Sequence, residues 1–128
     1  MVSGTRFIPT QDGGSQFVEA DIPIDNAATD AFGHLIHRSA VLPAQSTMLT
    51  EMPEGLNQDW HPASRRQLVV VLSGTVEVET SDGSKKRWSN GEMFLADDAG
   101  SRGHRTRTIG GPARVLFVHL PPDLSIGG

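Results

Sequence analysis

The sequence predicts an all-β domain, a single barrel or sandwich of short strands. Three observations predict it. Fourteen glycines and eight prolines are spread through the 128 residues rather than pooled in one linker, so turns punctuate the whole chain. Between them lie short runs of β-branched and aromatic residues with the two-residue period of strands. No amphipathic stretch is long enough to read as a helix, and no segment repeats.

The strands expected from these runs are Gln16 to Ile22, His34 to Ser39, Ser46 to Met52, Gln67 to Ser73, Thr75 to Thr80, Lys85 to Trp88, Glu92 to Ala96, His104 to Ile109 and Arg114 to Leu120. Ser81-Asp82-Gly83-Ser84 is the clearest hairpin turn, since Asp-Gly supplies the left-handed conformations a tight turn demands. Asn26 to Asp30 reads as one short helical turn. In Val76-Glu77-Val78-Glu79 the valines share one face and the carboxylates the other, giving a dry side and a wet side. The run Leu68 to Leu72 is apolar on both faces. It should lie inside a two-layer structure or against a partner subunit, and a homodimer is expected. Gln67 heads that buried row, where an amide is costly unless something binds it.

Size and composition narrow the function classes. At 128 residues the chain fits one domain, 1–128, which can fold without a disulfide or metal staple. With no cysteine there is no disulfide, thiolate ligand or cysteine nucleophile. A charge of −4 without any basic stripe argues against nucleic acid as a partner. The longest apolar run is far short of a membrane span, and Met1 to Pro9 lacks a signal-peptide core, so neither a membrane nor secretion is expected. A cytoplasmic protein is the expectation.

Two stretches carry a family resemblance. Asp59-Trp60-His61-Pro62-Ala63-Ser64-Arg65-Arg66-Gln67, running on to Gly74, resembles the first motif of the cupins, in which two histidines and a glutamate precede a hairpin glycine. Gly91 to Gly100 followed by His104 resembles the second, in which a third histidine follows a glycine-bounded turn. The resemblance, to small single-domain bacterial cupins, implies a double-stranded β-helix, or jelly-roll barrel, with motifs at about 59–74 and 91–104. Residue by residue, His61 matches the first histidine, Ala63 the second, Gln67 the glutamate and His104 the last histidine. A typical cupin offers a metal three imidazoles and a carboxylate. This chain offers two imidazoles and a neutral amide, which implies a weakened site for one divalent transition metal (iron, zinc, manganese or nickel) or none.

The candidate site follows. His61, His104 and Gln67 are the expected catalytic or ligating groups, the histidines as proton carriers or metal ligands and the amide to position a substrate. The competing reading of His61, the less favoured of the two given the motif, is a rim histidine bonded to a backbone carbonyl. His104 shares its face with Thr106, while Arg105 and Arg107 point to solvent. Trp60, Arg65, Thr106 and Val69 are expected around the ligand, Trp60 at the cavity mouth. Glu51 is a candidate carboxylate if Thr47, Leu49 and Glu51 form the inward face of their strand. Asp97 and Asp98 read as turn residues bonded to their own backbone. His119 reads as a satisfied core histidine, His34 and His37 face opposite ways, and Phe32, Trp88, Phe94 and Phe117 read as packing. The expected function is acid–base or weakly metal-assisted chemistry on a small molecule, of isomerase, cyclase, lyase or hydrolase type. Its rivals are a non-catalytic small-molecule binding or sensing domain and a metal-dependent dioxygenase. Removing either histidine is expected to abolish function without loss of stability.

Overall fold

The computed structural model describes residues 4–124; Met1 to Ser3 of the leader reading lie outside them. Eleven strands follow one another: β1 Thr5–Pro9, β2 Ser15–Glu19, β3 Asn26–Thr29, β4 Leu35–Arg38, β5 Ser46–Met52, β6 Gln67–Ser73, β7 Val76–Thr80, β8 Lys85–Trp88, β9 Met93–Ala96, β10 His104–Thr108 and β11 Ala113–His119. Among the described residues no helix is long and apolar enough to cross a membrane.

The strands form a six-stranded sheet, β2-β1-β9-β6-β11-β5, and a three-stranded sheet, β10-β7-β8, with β3 and β4 as a separate hairpin. Every pairing is antiparallel except that of β1 with β9. Residues 56–61 extend the smaller sheet as a broken strand beside β10, through bridges Asn57↔Arg107 and His61↔His104. The two sheets close on a core in which Phe7, Val71 and Val115 from one face Val76, Val78 and Trp88 from the other.

Register places the side chains. On the large sheet His119 lies opposite Ser46 and Gln67, and Phe117 opposite Met48 and Val69. Gln67 lies opposite Ala96, and Val69 opposite Phe94. With a period of two, the inward face of β5 is therefore Ser46, Met48, Thr50 and Met52. Glu51 belongs to the outer face, where its carboxylate accepts from Arg114 at 2.7 Å with 76% of its side chain exposed. The expectation that Glu51 supplies the missing carboxylate is thus corrected: pairing with β11 fixes its direction.

Three other expectations change. Asn26 to Asp30 is the first strand of a hairpin, not a helical turn. The Asp30 carboxylate accepts from the amides of Phe32 and His34 and so stabilises a turn that β4 completes. Phe32, read as packing, sits on that turn and is 85% exposed. The wet side of β7 is not wet at Glu77, which is 4% exposed. Arg107 of β10 and Arg87 of β8 flank it in register and donate to it at 2.6 and 2.8 Å. These guanidinium bonds, Arg107 foremost, hold its carboxyl below the ordinary glutamate range against the opposing effect of burial.

The doubly apolar β6 is also explained in part within the chain. Leu68 and Val118 on the outer face pack against Ala20, Leu42, Leu95 and Leu120. Leu49 and Leu72 remain exposed beyond that cluster.

Candidate functional site

The broken strand 56–61 exists because its amides and carbonyls complete the edge of β10. The Gln58 N–H donates to the Thr106 carbonyl, and the Thr108 N–H to the Leu56 carbonyl. At its end, His61 and His104 exchange both backbone bonds, each at 3.0 Å. A directly opposed pair of this kind turns both side chains to the same face. The rings meet with centroids 4.8 Å apart. Pro62 keeps His61 extended, as its fixed geometry requires of the preceding residue. Gly103, at φ +85°, lets the incoming turn press against the His61 carbonyl, where any Cβ would overlap it.

Each ring is oriented by a bond to Nδ1. In His61 that nitrogen lies 2.7 Å from the Asp59 carbonyl oxygen, which can only accept, so Nδ1 carries the proton and donates. In His104 it lies 2.6 Å from Asp98 Oδ2. Asp98 is fully buried, and its other oxygen accepts from the Ala63 amide at 2.8 Å. In both rings the proton therefore sits on Nδ1 and the Nε2 lone pair is left free. His61 is thus at once a histidine bonded to a backbone carbonyl and one turned toward the cavity.

Both rings line a cavity of about 410 Å³, together with Gln58, Ala63, Gln67, Val69, Thr106 and His119. The rest of its wall is mostly apolar, with Phe7, Met48, Leu56, Val76, Phe94 and Phe117 prominent beside Thr50, Glu51 and Ser64. Phe7 packs against His104 at 4.5 Å between ring centroids and shields one side of it. Among the described residues no lysine or arginine lines the cavity.

The candidate residues divide cleanly. His61, His104, Gln67, Thr106 and Val69 come together around this cavity. Trp60 does not: it lies outside, beneath the Arg105 guanidinium at 5.6 Å, because one residue along a strand reverses the face. Arg65 is exposed and forms no side-chain bond among the described residues, whereas its neighbour Arg66 pairs with Asp97 at 3.1 Å. Glu51 reaches the rim of the cavity, but its carboxylate is the one held outside by Arg114. Two residues were misread. Asp98 is not a self-bonded turn aspartate but the buried partner of His104. His119 is not enclosed in the core; it lines the cavity with Nδ1 2.7 Å from Ser46 Oγ.

Two β-sheets close around a cavity, and His61 and His104, backbone-paired on the smaller sheet, both line it. This is a cupin fold. No family model matches the chain, and neither does any curated protein. Among solved structures, the chain is similar to Neisseria meningitidis protein NMB1881, at 25% identity over 57% of this chain and 71% of that one, with a TM-score of 0.47. It is also similar to the Schizosaccharomyces pombe Cnp3 cupin domain (15% identity, 69% and 73% covered, TM-score 0.46). A third likeness is to a Salmonella typhimurium protein described as ethanolamine utilization protein Q (12% identity, 96% and 98% covered, TM-score 0.48). The strand order and the two converging segments, rather than these likenesses, decide the fold.

The cupin barrel does not assemble the usual donor set for a metal. Ala63 stands buried where the second histidine would be, both Asp98 oxygens are engaged, and Glu51 points away. Among the described residues no three His, Cys, Asp or Glu side chains cluster as a metal site. The His61, His104 and His119 imidazoles and the Gln67 amide line the cavity, but the three histidines do not cluster among the described residues, and the set they leave in one place is short of the three or four strong donors a transition ion takes.

Proposed function

We propose that this barrel binds a neutral small molecule bearing a hydroxyl or carbonyl group and carries out acid–base chemistry on it with His61 and His104. The observation that carries the reading is the paired imidazoles, each with Nδ1 committed and Nε2 free, facing one cavity. When one ring is neutral and the other protonated, the first takes a proton from substrate and the second delivers one, as isomerisation, cyclisation or elimination requires. Asp98 holds His104 in the productive tautomer and stabilises the imidazolium that forms, as a buried carboxylate does in other histidine-based sites. The walls are mostly apolar, and among the described residues no lysine or arginine lines the cavity, which favours an uncharged substrate over a phosphate or carboxylate. Gln67 positions the reacting group. A homodimer is part of the proposal, supported by the exposed Leu49 and Leu72 on the outer sheet face.

The test is solvent exchange. Incubation in D2O with a panel of neutral α-hydroxyketones and cyclic ketones should place deuterium on carbon in at least one compound, and His61→Ala should abolish it. Compounds that bind in the cavity yet never exchange would instead make this a binding or sensing domain.

The stability expected of the histidine variants differs from the sequence expectation. His61→Ala should leave the fold intact. His104→Ala strands a fully buried carboxylate and should cost about 3 kcal/mol, so His104→Gln is the cleaner probe.

A further inference from the structure

Among the described residues seven polar or charged side chains are buried, and six of them have a hydrogen-bond partner. The exception is Thr106, which is 7% exposed and whose hydroxyl bonds to no described residue. Its neighbour on the same face of β10 makes the contrast. Thr108 Oγ1 donates to the Pro53 carbonyl at 2.9 Å and accepts from the Leu56 amide at 3.1 Å. Thr106 Oγ1 does neither, yet it is not sealed in, and the space its face opens on is the cavity.

The fold by itself has no use for this hydroxyl. A buried hydroxyl without a partner costs free energy. Valine has nearly the same shape, is as good a strand former, and would lie opposite Val78 without that cost. His104 precedes Thr106 by two residues, so the two side chains share one face with about 6.8 Å between their Cα atoms.

We propose that the Thr106 hydroxyl is a substrate-binding group and that the substrate is a neutral β-hydroxy carbonyl compound, with its carbonyl at His61 and His104 and its hydroxyl at Thr106. The inference deepens the acid–base reading and rests on it for the position of the ligand. The spacing sets the class. A hydroxyl two carbons from a carbonyl bridges the gap between the two side chains when each end takes a hydrogen bond of ordinary length. Thr106 Oγ1 has its donor and its lone pairs uncommitted, so it can both give to a hydroxyl and accept from one. It carries no charge, in keeping with a cavity that offers nothing to a carboxylate or phosphate.

The experiment titrates 3-hydroxy-1-phenyl-1-propanone and 1-phenyl-1-propanone into 15N-labelled protein, followed by NMR. The hydroxylated ketone should bind about fivefold tighter. Thr106→Val should remove that advantage, leave the affinity for the plain ketone unchanged, and leave Tm unchanged or raise it by up to about 4 °C. Thr106→Ser, which keeps the hydroxyl, should keep the advantage. An advantage that survives in Thr106→Val, or a fall in Tm of that variant, would overturn the inference alone, the latter by showing that the hydroxyl serves the fold. If neither ketone shifts the His61 and His104 signals, the acid–base reading fails and the role of Thr106 fails with it.

Discussion

Replacing Asp98 by asparagine probes the site without changing its shape. The wild-type carboxylate accepts twice, from the Ala63 amide at 2.8 Å and from His104 Nδ1 at 2.6 Å. An asparagine offers one oxygen and one NH2 in the same place. The Ala63 amide can only donate, so the oxygen must turn to it, and the NH2 then faces His104 Nδ1. That nitrogen can no longer carry its proton, which moves to Nε2 and points into the cavity. Losing a charge-assisted bond in a fully buried setting costs about 1–3 kcal/mol. At about 4 °C per kcal/mol for a domain of this size, Tm should fall by about 4–12 °C. Exchange activity should fall about 10²- to 10⁴-fold, the loss expected when a catalytic imidazole is held in the wrong tautomer. Long-range 1H–15N NMR of the histidine rings reads the tautomer directly: protonated Nδ1 in the wild type, protonated Nε2 in Asp98→Asn, with His61 unchanged. An unchanged His104 tautomer, or an unchanged Tm, would refute the reasoning.

Other perturbations test the scaffold. Gly103→Ala places a Cβ against the His61 carbonyl at a backbone conformation that costs an L-residue about 1–2 kcal/mol. It should open the His61–His104 backbone pair, seen as faster hydrogen exchange at those two amides; retained protection would count against the bridge. Glu77→Gln should cost about 1–2 kcal/mol at pH 7, since both arginines are half-exposed and screened. The Glu77 pKa is depressed in the folded state, so its contribution is present above the ordinary value of 4.5 and is lost as pH falls through the lower folded value. The wild-type and variant Tm curves should therefore converge in acid; a constant gap down to pH 2 would contradict the assignment. Light scattering at micromolar concentration should give a dimer mass that Leu49→Glu reduces to a monomer, whereas a monomeric wild type would remove that part of the proposal.

Much of the fold was legible because strands announce themselves locally. Ser46–Met52, Gln67–Ser73 and Lys85–Trp88 have the bounds that their short β-branched and apolar runs between glycines and prolines indicated. What escaped was decided by distant partners. β1 is five residues ending in proline, and its place comes from pairing with β2 and, in parallel, with β9. Asn26–Thr29 has no strand signal of its own and is a strand because Leu35–Arg38 lies beside it.

The site divides the same way. The alternation that put His104 and Thr106 on one face and the arginines on the other held, as did the motif spacing that joined His61 to His104. The role of Asp98 required knowing that Ala63, 35 residues earlier, would offer it an amide. The nearest hint was an aspartate six residues before a buried histidine, across a glycine-bounded turn. For Glu51, two equally regular faces were available, and only the β11 register chose between them. For His119 the face was read correctly, but the barrel is open rather than filled at that level.

The most direct measurement of the whole reading is the ligand response of the two imidazoles themselves. Titrating a neutral hydroxyketone into protein labelled with 15N-histidine should shift the Nε2 signals of His61 and His104 together, with one dissociation constant, and His61→Ala should erase the response at His104. Shifts confined to one ring, or binding that leaves both untouched, would contradict a shared pocket and leave a β-barrel whose histidines serve only its structure.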